Sequence, residues 1–368
     1  MKEGWEYKKL GEVAQISSGK AIPSSLISDT ISEGLYPCYG GNGLRGYVDR
    51  FSNEGLIPVI GRVGALCGNV HLPQGKFYAT EHALVVNIKT NDKPQYLEYI
   101  LKQLDLRAFA KGVAQPVLSA STLSTIPIPI PPLTEQERIV SELDLLTSII
   151  NKQKAQLKEL DSLAQSIFYD MFGDPIENPK GWEVKKLGEV CDIVRGGSPR
   201  PIDNFLGGDI PWIKIGDATK GDDIYLYSTK EHIRQEGLSK TRYIPKGSLI
   251  FANCGVSLGF ARIIKFNGCI HDGWLAFMEI NENELRKVFL LKSLNACTMY
   301  FRQLAPDGTQ PNLNTQIMKI FKQIVPPIHL QDSFASKIEA IEAQKALITK
   351  SMEETQRLFD SRMDYWFA

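Results

Sequence analysis

Two stretches of the chain carry apolar residues at alternating steps of four and three. The first runs Ile139, Leu143, Leu146, Ile150, Gln153, Leu157, Leu160, Ala164, Ile167 and Met171. That is a heptad seam, the pattern of helices that pack side by side over a long distance. The second lies 195 residues later, at Phe334, Ile338, Ile341, Lys345, Ile348, Met352, Thr355, Phe359, Arg362 and Trp366. It is weaker, because Lys345 and Arg362 interrupt the apolar run. Neither stretch contains Gly or Pro, so each predicts one unbroken helix, on the order of 55 Å long at 1.5 Å per residue. Ordinary globular helices are far shorter. Thr134 followed by Glu135, Gln136 and Glu137 reads as an N-cap with acids in the first turn. Gly173-Asp174-Pro175 reads as a stop.

The rest of the chain is patterned as short strands. Leu56–Ile60, Ala83–Ile88, Ser248–Phe251 and Leu275–Ile280 are β-like runs. A helix is expected over Gln95–Ala110 and again over Glu284–Leu304. After each comes a proline-rich segment, Ile126–Pro132 and Ile324–Pro327. Proline lacks an N–H and fixes φ, so these segments predict edge strands or stiff exits.

The chain repeats this plan once. Gly4-Trp5-Glu6-Tyr7-Lys8-Lys9-Leu10-Gly11-Glu12-Val13 returns as Gly181–Val190 with nine of ten residues identical. Gln115-Pro116 and Pro131-Pro132 return as Gln310-Pro311 and Pro326-Pro327. Between these anchors the halves diverge. So long a period marks a duplicated domain, not a solenoid.

The order of parts predicts an α+β fold: domain one over 1–133, helix one over 134–173, domain two over 174–328 and helix two over 329–368. The two similar domains would be separated by two long antiparallel helices forming a coiled coil, with pseudo-two-fold symmetry. Packing of each helix on its own domain is the competing reading, and seam length favours the pair. Two divergent domains on a spacer suit two different sites at a set separation. DNA offers these, since its major groove returns about every 34 Å on one face.

Composition narrows the class without naming it. The chain has 368 residues, 43% of them hydrophobic, with no net charge, so bulk charge is silent about nucleic acid. Its distribution says more, because two mildly basic blocks (1–133 and 181–328) alternate with two acidic ones. No run of residues could cross a membrane or serve as a secretory signal, and the cytoplasm is expected. Six cysteines and five histidines are scattered, without a CxxC or HExxH pattern. They read as reduced, packed side chains, and no metal site is expected.

Catalytic signatures are missing as well. There is no GxxxxGK[ST] phosphate loop, and the Pro-Pro pairs lack the neighbours of a methyltransferase motif. Gly40-Gly41-Asn42-Gly43 reads as a tight loop near a DNA backbone, not a nucleotide loop. Asp217, Asp222, Asp223 and Lys230 have nuclease-like residue types, but a solvated loop is the better reading.

The residues also carry a resemblance. The twice-present Gly-Trp-Glu-x-Lys-Lys-Leu-Gly-Glu-Val resembles the opening of specificity subunits of type I restriction–modification enzymes. So does Ile126-Pro-Ile-Pro-Ile-Pro-Pro-Leu-Thr-Glu-Gln-Glu-Arg-Ile-Val140 leading into a long helix. The segment Tyr36–Asp49 is similar to part of their target recognition domains. The second half departs from the pattern, keeping only Gln331 of the Glu-Gln pair.

The resemblance implies a non-catalytic subunit that reads a split target in double-stranded DNA, one half per domain. The helices would set the spacing and dock two methyltransferase subunits, with Glu135, Gln136, Arg138 and Gln331 as contacts. Those partners would use S-adenosylmethionine to methylate adenine. Motor–nuclease subunits using ATP and Mg²⁺ would join for cleavage, and this chain itself would hold no cofactor. A specificity subunit of a type IIB-like enzyme, a free-standing two-headed DNA binder and a protein scaffold remain as alternatives.

Arg can pair with guanine through two hydrogen bonds, and Asn or Gln with adenine. Candidate DNA contacts are therefore basic and amide side chains in Gly-rich loops. In domain one they are Lys20, Asn42, Arg45 and Arg62, beside Tyr39, with Gln115. In domain two they are Arg195, Arg200, Asn204, Lys214, Arg242, Asn253 and Gln310. Phosphate contact outweighs base contact for any one of them. Trp5 and Trp182 are expected to be structural.

Overall fold

The computed structural model describes residues 4–112, 116–218, 224–304 and 312–367. It has two compact units, each containing a stretch of both long helices. Unit 1 comprises Met1–Lys154 with Lys350–Ala368, and unit 2 comprises Ala155–Thr349. The fold is α+β, and both predicted long helices form, over Leu133–Phe172 and Ile328–Phe367.

In unit 1 the strands Ala14–Ser18, Ala83–Ile88, Val59–Gly61 and Val70–His71 make an antiparallel sheet in that order. A second sheet runs Gly43–Val48, Tyr36–Gly40, Gln74–Ala79, Asn53–Leu56. Its central pair is parallel. Glu6–Lys9 pairs separately with Pro127–Ile130, with Tyr7 opposite Pro129. In a two-stranded ribbon every proline has an open side, which is why this run is tolerated as a strand.

Unit 2 repeats the arrangement. One sheet runs Asp192–Arg195, Trp274–Met278, Leu249–Ala252, Ala261–Ile264, Tyr225–Leu226, and another Glu231–Ile233, Leu206–Ile213, Gly268–Ile270, Arg242–Ile244. The ribbon is Glu183–Lys186 with Lys322–Val325.

The repeated opening is structural. Leu10 and Leu187 are fully buried, as are Val13 and, nearly, Val190. Each starts a single helical turn, and Glu12 and Glu189 accept from the backbone N–H of Lys9 and Lys186 at 2.6 and 3.0 Å. Trp182 packs against the core of unit 2 and donates from Nε1 to the Phe172 carbonyl at 2.9 Å. Trp5 packs against the core of unit 1.

Both seams face inward at every predicted position, since each of these residues is buried or half-buried. In unit 1, Glu142 meets Arg362 and Trp366, while further along Gln153 donates to Ser351 at 3.0 Å. Numbers rise on one helix as they fall on the other, so the pair is antiparallel. In unit 2 the same direction shows in Asp161–Lys345 at 2.6 Å and in Phe168 and Phe172 against Phe334. The polar seam residues are thus partnered: Lys345 by Asp161 and Arg362 by Glu142.

Several expectations shift. The first seam ends on Phe168 and Phe172, which are nearly or fully buried, while Ile167 and Met171 only pack against the core. Thr134 is not the cap. The helix starts at Leu133, and the Pro132 carbonyl accepts from the N–H groups of Glu135 and Gln136 at 2.9 and 3.0 Å. The run at Leu56–Ile60 splits between two sheets at Ile57-Pro58, where proline removes a ladder donor. The expected helix over 95–110 is Pro94–Gln103 followed by a 3-10 turn, and that over 284–304 breaks into Lys287–Ala296 and Thr298–Leu304. The stop at Gly173 holds, with φ of +77° and its N–H on the Tyr169 carbonyl.

Candidate nucleic-acid interface

The divergent middles of the two halves share one backbone. Arg62 donates its N–H to the His82 carbonyl and accepts at its own carbonyl from Leu118. Asn253 does the same with Gly273 and Leu313. Gly19 bonds the Ala83 carbonyl as Gly196 bonds that of Trp274, and Lys20 bonds Ala79 as Gly197 bonds Ile270. Arg62 is therefore matched by Asn253, Ser18 by Arg195, and the turn Thr80–Ala83 by His271–Trp274. The loops after Arg62 and Asn253 each carry two left-handed glycines at the same spacing. Gly64 and Gly255 have φ of +86° and +68°, and Gly68 and Gly259 have +95° and +100°.

Close packing at this junction requires glycine. A Cβ on Gly19 would lie 2.2 Å from the Ala79 carbonyl oxygen, and one on Gly196 the same distance from that of His271. Backbone oxygens cannot step aside cheaply. Gly196→Ala is expected to cost unit 2 about 1–3 kcal/mol, a typical overpacking penalty, read by denaturant unfolding. An unchanged midpoint would show that the junction can relax.

In unit 1 four of the candidates converge. Lys20 bridges to Thr80, whose N–H bonds the Tyr39 carbonyl at 2.8 Å. Gly40–Arg45 line one cleft with Val63, Ala65, Leu66 and His82. Asn42 and Arg45 are exposed in that cleft, and Lys20 is exposed beside Thr80. Arg45 reaches the Ser24 hydroxyl at 2.8 Å. Arg62 is half-buried and donates to Ser18 Oγ at 3.1 Å and to the Glu81 carbonyl at 3.4 Å. Tyr39 is packed instead. Its ring meets Phe77 edge-on at 5.8 Å and lies near His71, and burial pushes its hydroxyl pKa up.

In unit 2 the candidates gather around a residue that sequence reasoning missed, Asp272. Its carboxylate accepts from Ser198 Oγ at 2.9 Å and from Arg200 at 3.4 Å, and its carbonyl accepts from Arg195 Nε at 3.0 Å. His271 Nδ1 accepts from the Gly273 N–H, which leaves Nε2 to donate to Asp272 at 2.9 Å. Burial raises the Asp272 pKa, but the Ser198 hydrogen bond with His271, Arg200 and Arg195 brings it below the usual range. Burial lowers that of His271; Asp272 pulls it back up, and Lys214, Arg200 and Arg195 push it down, leaving it below the ordinary imidazole value. An Asp in a turn is too common a residue for sequence to single this one out.

The other candidates in unit 2 sort by surroundings. Arg200, Asn204 and Arg242 are exposed. Lys214 is ion-paired with Glu231 and lies over the Trp212 ring at 5.4 Å, so its charge is partly used internally. Asp217 accepts from the Lys214 N–H and the Thr229 hydroxyl, an internal brace of the loop. Its contact with Lys230 is through that residue's backbone. Gln115, Gln310, Asp222 and Asp223 lie outside the described residues.

Three assignments are corrected. Asn253 is fully buried and donates to Asn312 Oδ1 and the Leu313 carbonyl, both at 3.0 Å, so it braces the loop and cannot face a base. Gln136 and Gln331 are also fully buried and present no surface to a partner. Gln136 accepts from the Lys93 N–H and donates to Asp92 and to the Pro131 carbonyl. Gln331 accepts from the Arg286 N–H and donates to the Glu284 and Pro326 carbonyls. Each amide stitches the start of a long helix to its own unit. Half-buried Glu135 and exposed Arg138 form an i,i+3 pair, with Arg138 over the Trp366 ring at 4.9 Å.

Among the described residues, no group of His, Cys, Asp and Glu could hold a metal ion, and no helix is long and apolar enough to cross a membrane. Burial raises the thiol pKa values of Cys191 and Cys297 to about 12 and of Cys269 to about 11.

These features define a class of proteins built from two like α+β recognition domains, each packed on a stretch of a long helix pair. The family model for the type I restriction modification DNA specificity domain matches residues 2–159 and 179–357. The chain belongs to the family of type I restriction–modification specificity subunits. It is 38% identical over 145 residues to the EcoprrI specificity subunit of Escherichia coli, a match spanning 39% of this chain and 36% of that protein. It is 24% identical over 381 residues to the MjaIX specificity subunit of Methanocaldococcus jannaschii, covering 92% of this chain and 86% of the relative. The crystal structure of a type I restriction–modification S subunit from M. genitalium shares the fold with a TM-score of 0.65 at 18% identity. That match covers 98% of this chain and 95% of that one.

Proposed function

We propose that each unit reads one half of a bipartite DNA target, and that the long helices set the gap between halves and dock two methyltransferase subunits. The observation that carries this reading is the matched loop frame with different side chains. Arg62 and Ser18 in unit 1 stand where Asn253 and Arg195 stand in unit 2. A shared frame with divergent side chains is what two readers of different half-sites require, because base-edge contacts, not the backbone, carry sequence. In this reading the chain chooses the site and performs no chemistry. Its methyltransferase partners use S-adenosylmethionine, and motor–nuclease subunits use ATP and Mg²⁺.

The test is a methylation map of DNA from cells expressing the partner methyltransferase with and without this chain. A split motif methylated only when the chain is present is the expected result. Identical maps, with the methyltransferase soluble and intact, would favour a free-standing binder or a scaffold.

A further inference from the structure

Both units hold an arginine at the same place, but from different segments. In unit 1 the Arg62 guanidinium, rooted in the loop after Val59–Gly61, donates to the Glu81 carbonyl and to Ser18 Oγ. In unit 2 the matched carbonyl is that of Asp272, and Arg195 donates to it. Arg195 stands at the Ser18 position, whereas the Arg62 position holds buried Asn253. The turn thus keeps a guanidinium while the two neighbouring segments exchange the residue that supplies it. In unit 2 the Asp272 carboxylate also holds Ser198 and Arg200, adding a second guanidinium beside the first.

We propose that this turn is a common arginine seat, and that Arg62 in unit 1 and Arg195 in unit 2 are equivalent specificity-determining residues, one for each half-site. Resting on the DNA-specificity reading above, it names which residues read at matched positions. A guanidinium tied to a backbone carbonyl is pre-oriented. Arg195 is held through Nε, which leaves its two Nη groups as the fork that matches guanine O6 and N7. Arg62 instead spends Nη1 on both internal bonds with Nε buried, and offers Nη2 to the base. Lysine lacks that fork and is a poor substitute at such a site. In this scheme the Asp272 backbone carbonyl seats Arg195, while its carboxylate positions Ser198 and Arg200.

The experiment uses the full chain co-assembled with its methyltransferase partners, on a DNA pool carrying every single-base change in both half-sites. Arg62→Ala is expected to lower discrimination at one base position of one half by roughly 5- to 150-fold, the usual worth of one base pair in a site. Arg195→Ala is expected to do the same at one position of the other half, with the first half untouched. Asp272→Asn keeps the backbone carbonyl that seats Arg195 and is expected to leave discrimination at the Arg195 position near wild type. Should Arg62→Ala unfold, Arg62→Lys keeps the packed stem and is expected to lose discrimination at the same position. Wild-type discrimination retained by Arg195→Ala and by the folded Arg62 variant would overturn the proposal, as would an equal loss at all positions of both halves. A wild-type complex with no chain-dependent motif would instead reject the underlying reading.

Discussion

Phe172→Ala is expected to destabilise unit 2 by about 3–5 kcal/mol, the usual cost of deleting a fully buried phenylalanine. The ring sits at the last turn of the first long helix with no exposed surface, 4.7 Å from Phe289, 5.3 Å from Phe334 and 5.5 Å from Phe168. These partners come from the domain, the second long helix and the same helix, so no single element can collapse into the space left behind. The residue's carbonyl also receives the Trp182 indole N–H, which ties the repeated opening to the helix end. Loss of this size is a large share of the 5–15 kcal/mol that keeps a typical domain folded. Denaturant unfolding of the full chain with hydrogen exchange resolved by segment measures it. Lost protection in unit 2 with unit 1 unchanged is the expected pattern. A cost below about 1 kcal/mol would mean that the cavity refills and that the ring does not anchor the helix to its unit.

That phenylalanine also shows how far the helix pattern could be read. A strict heptad step predicts Ile167 and Met171, and these are half-buried. An α-helix turns every 3.6 residues, however, so its apolar stripe drifts against a seven-residue repeat. Once the helix meets the domain, the wider apolar face takes over, and Phe168 and Phe172 are buried instead. The seam was legible because periodicity is local. The choice between neighbours at its end depends on Phe289 and Phe334, which are distant in sequence.

The candidate interface was legible by residue type and hidden in its correspondences. Arg62, Asn253 and Arg195 all stand out as basic or amide residues near glycines. Nothing local shows that Asn253 is buried or that Arg195 replaces Ser18. The two openings are 177 residues apart, Arg62 and Asn253 are 191 apart, and the proline pairs are 195 apart. Insertions between the anchors therefore erase any fixed register, and side-chain identity has diverged. The frame survives in backbone hydrogen bonds and left-handed glycines, which tolerate almost any neighbouring side chain. Asp272 was missed for the same reason, since its partners Ser198, Arg195 and Arg200 are more than 70 residues away.

Gln136→Ala and Gln331→Ala are expected to cost about 2–5 kcal/mol each, and to do so without the methyltransferase partner present. Each amide satisfies one backbone N–H and at least one backbone carbonyl where a long helix leaves its domain. A buried polar group stranded without its partner costs about 1–3 kcal/mol, and alanine strands at least two at once. The matched placement, five residues after Pro131 and Pro326 respectively, makes the two costs comparable despite the divergence around them. Resemblance alone would make these glutamines docking contacts, and the two roles separate cleanly. A docking residue would leave the unfolding midpoint of the isolated chain unchanged and weaken assembly. A stitching residue lowers the midpoint first, and assembly falls only as the helix start frays. Gln136→Glu sharpens the comparison, since it keeps the acceptor for the Lys93 N–H but puts a carboxylate beside Asp92 and the Pro131 carbonyl. It should therefore destabilise unit 1 more as pH rises and the new carboxylate ionises. A flat pH dependence would mean that the side chain at 136 is not held between those groups.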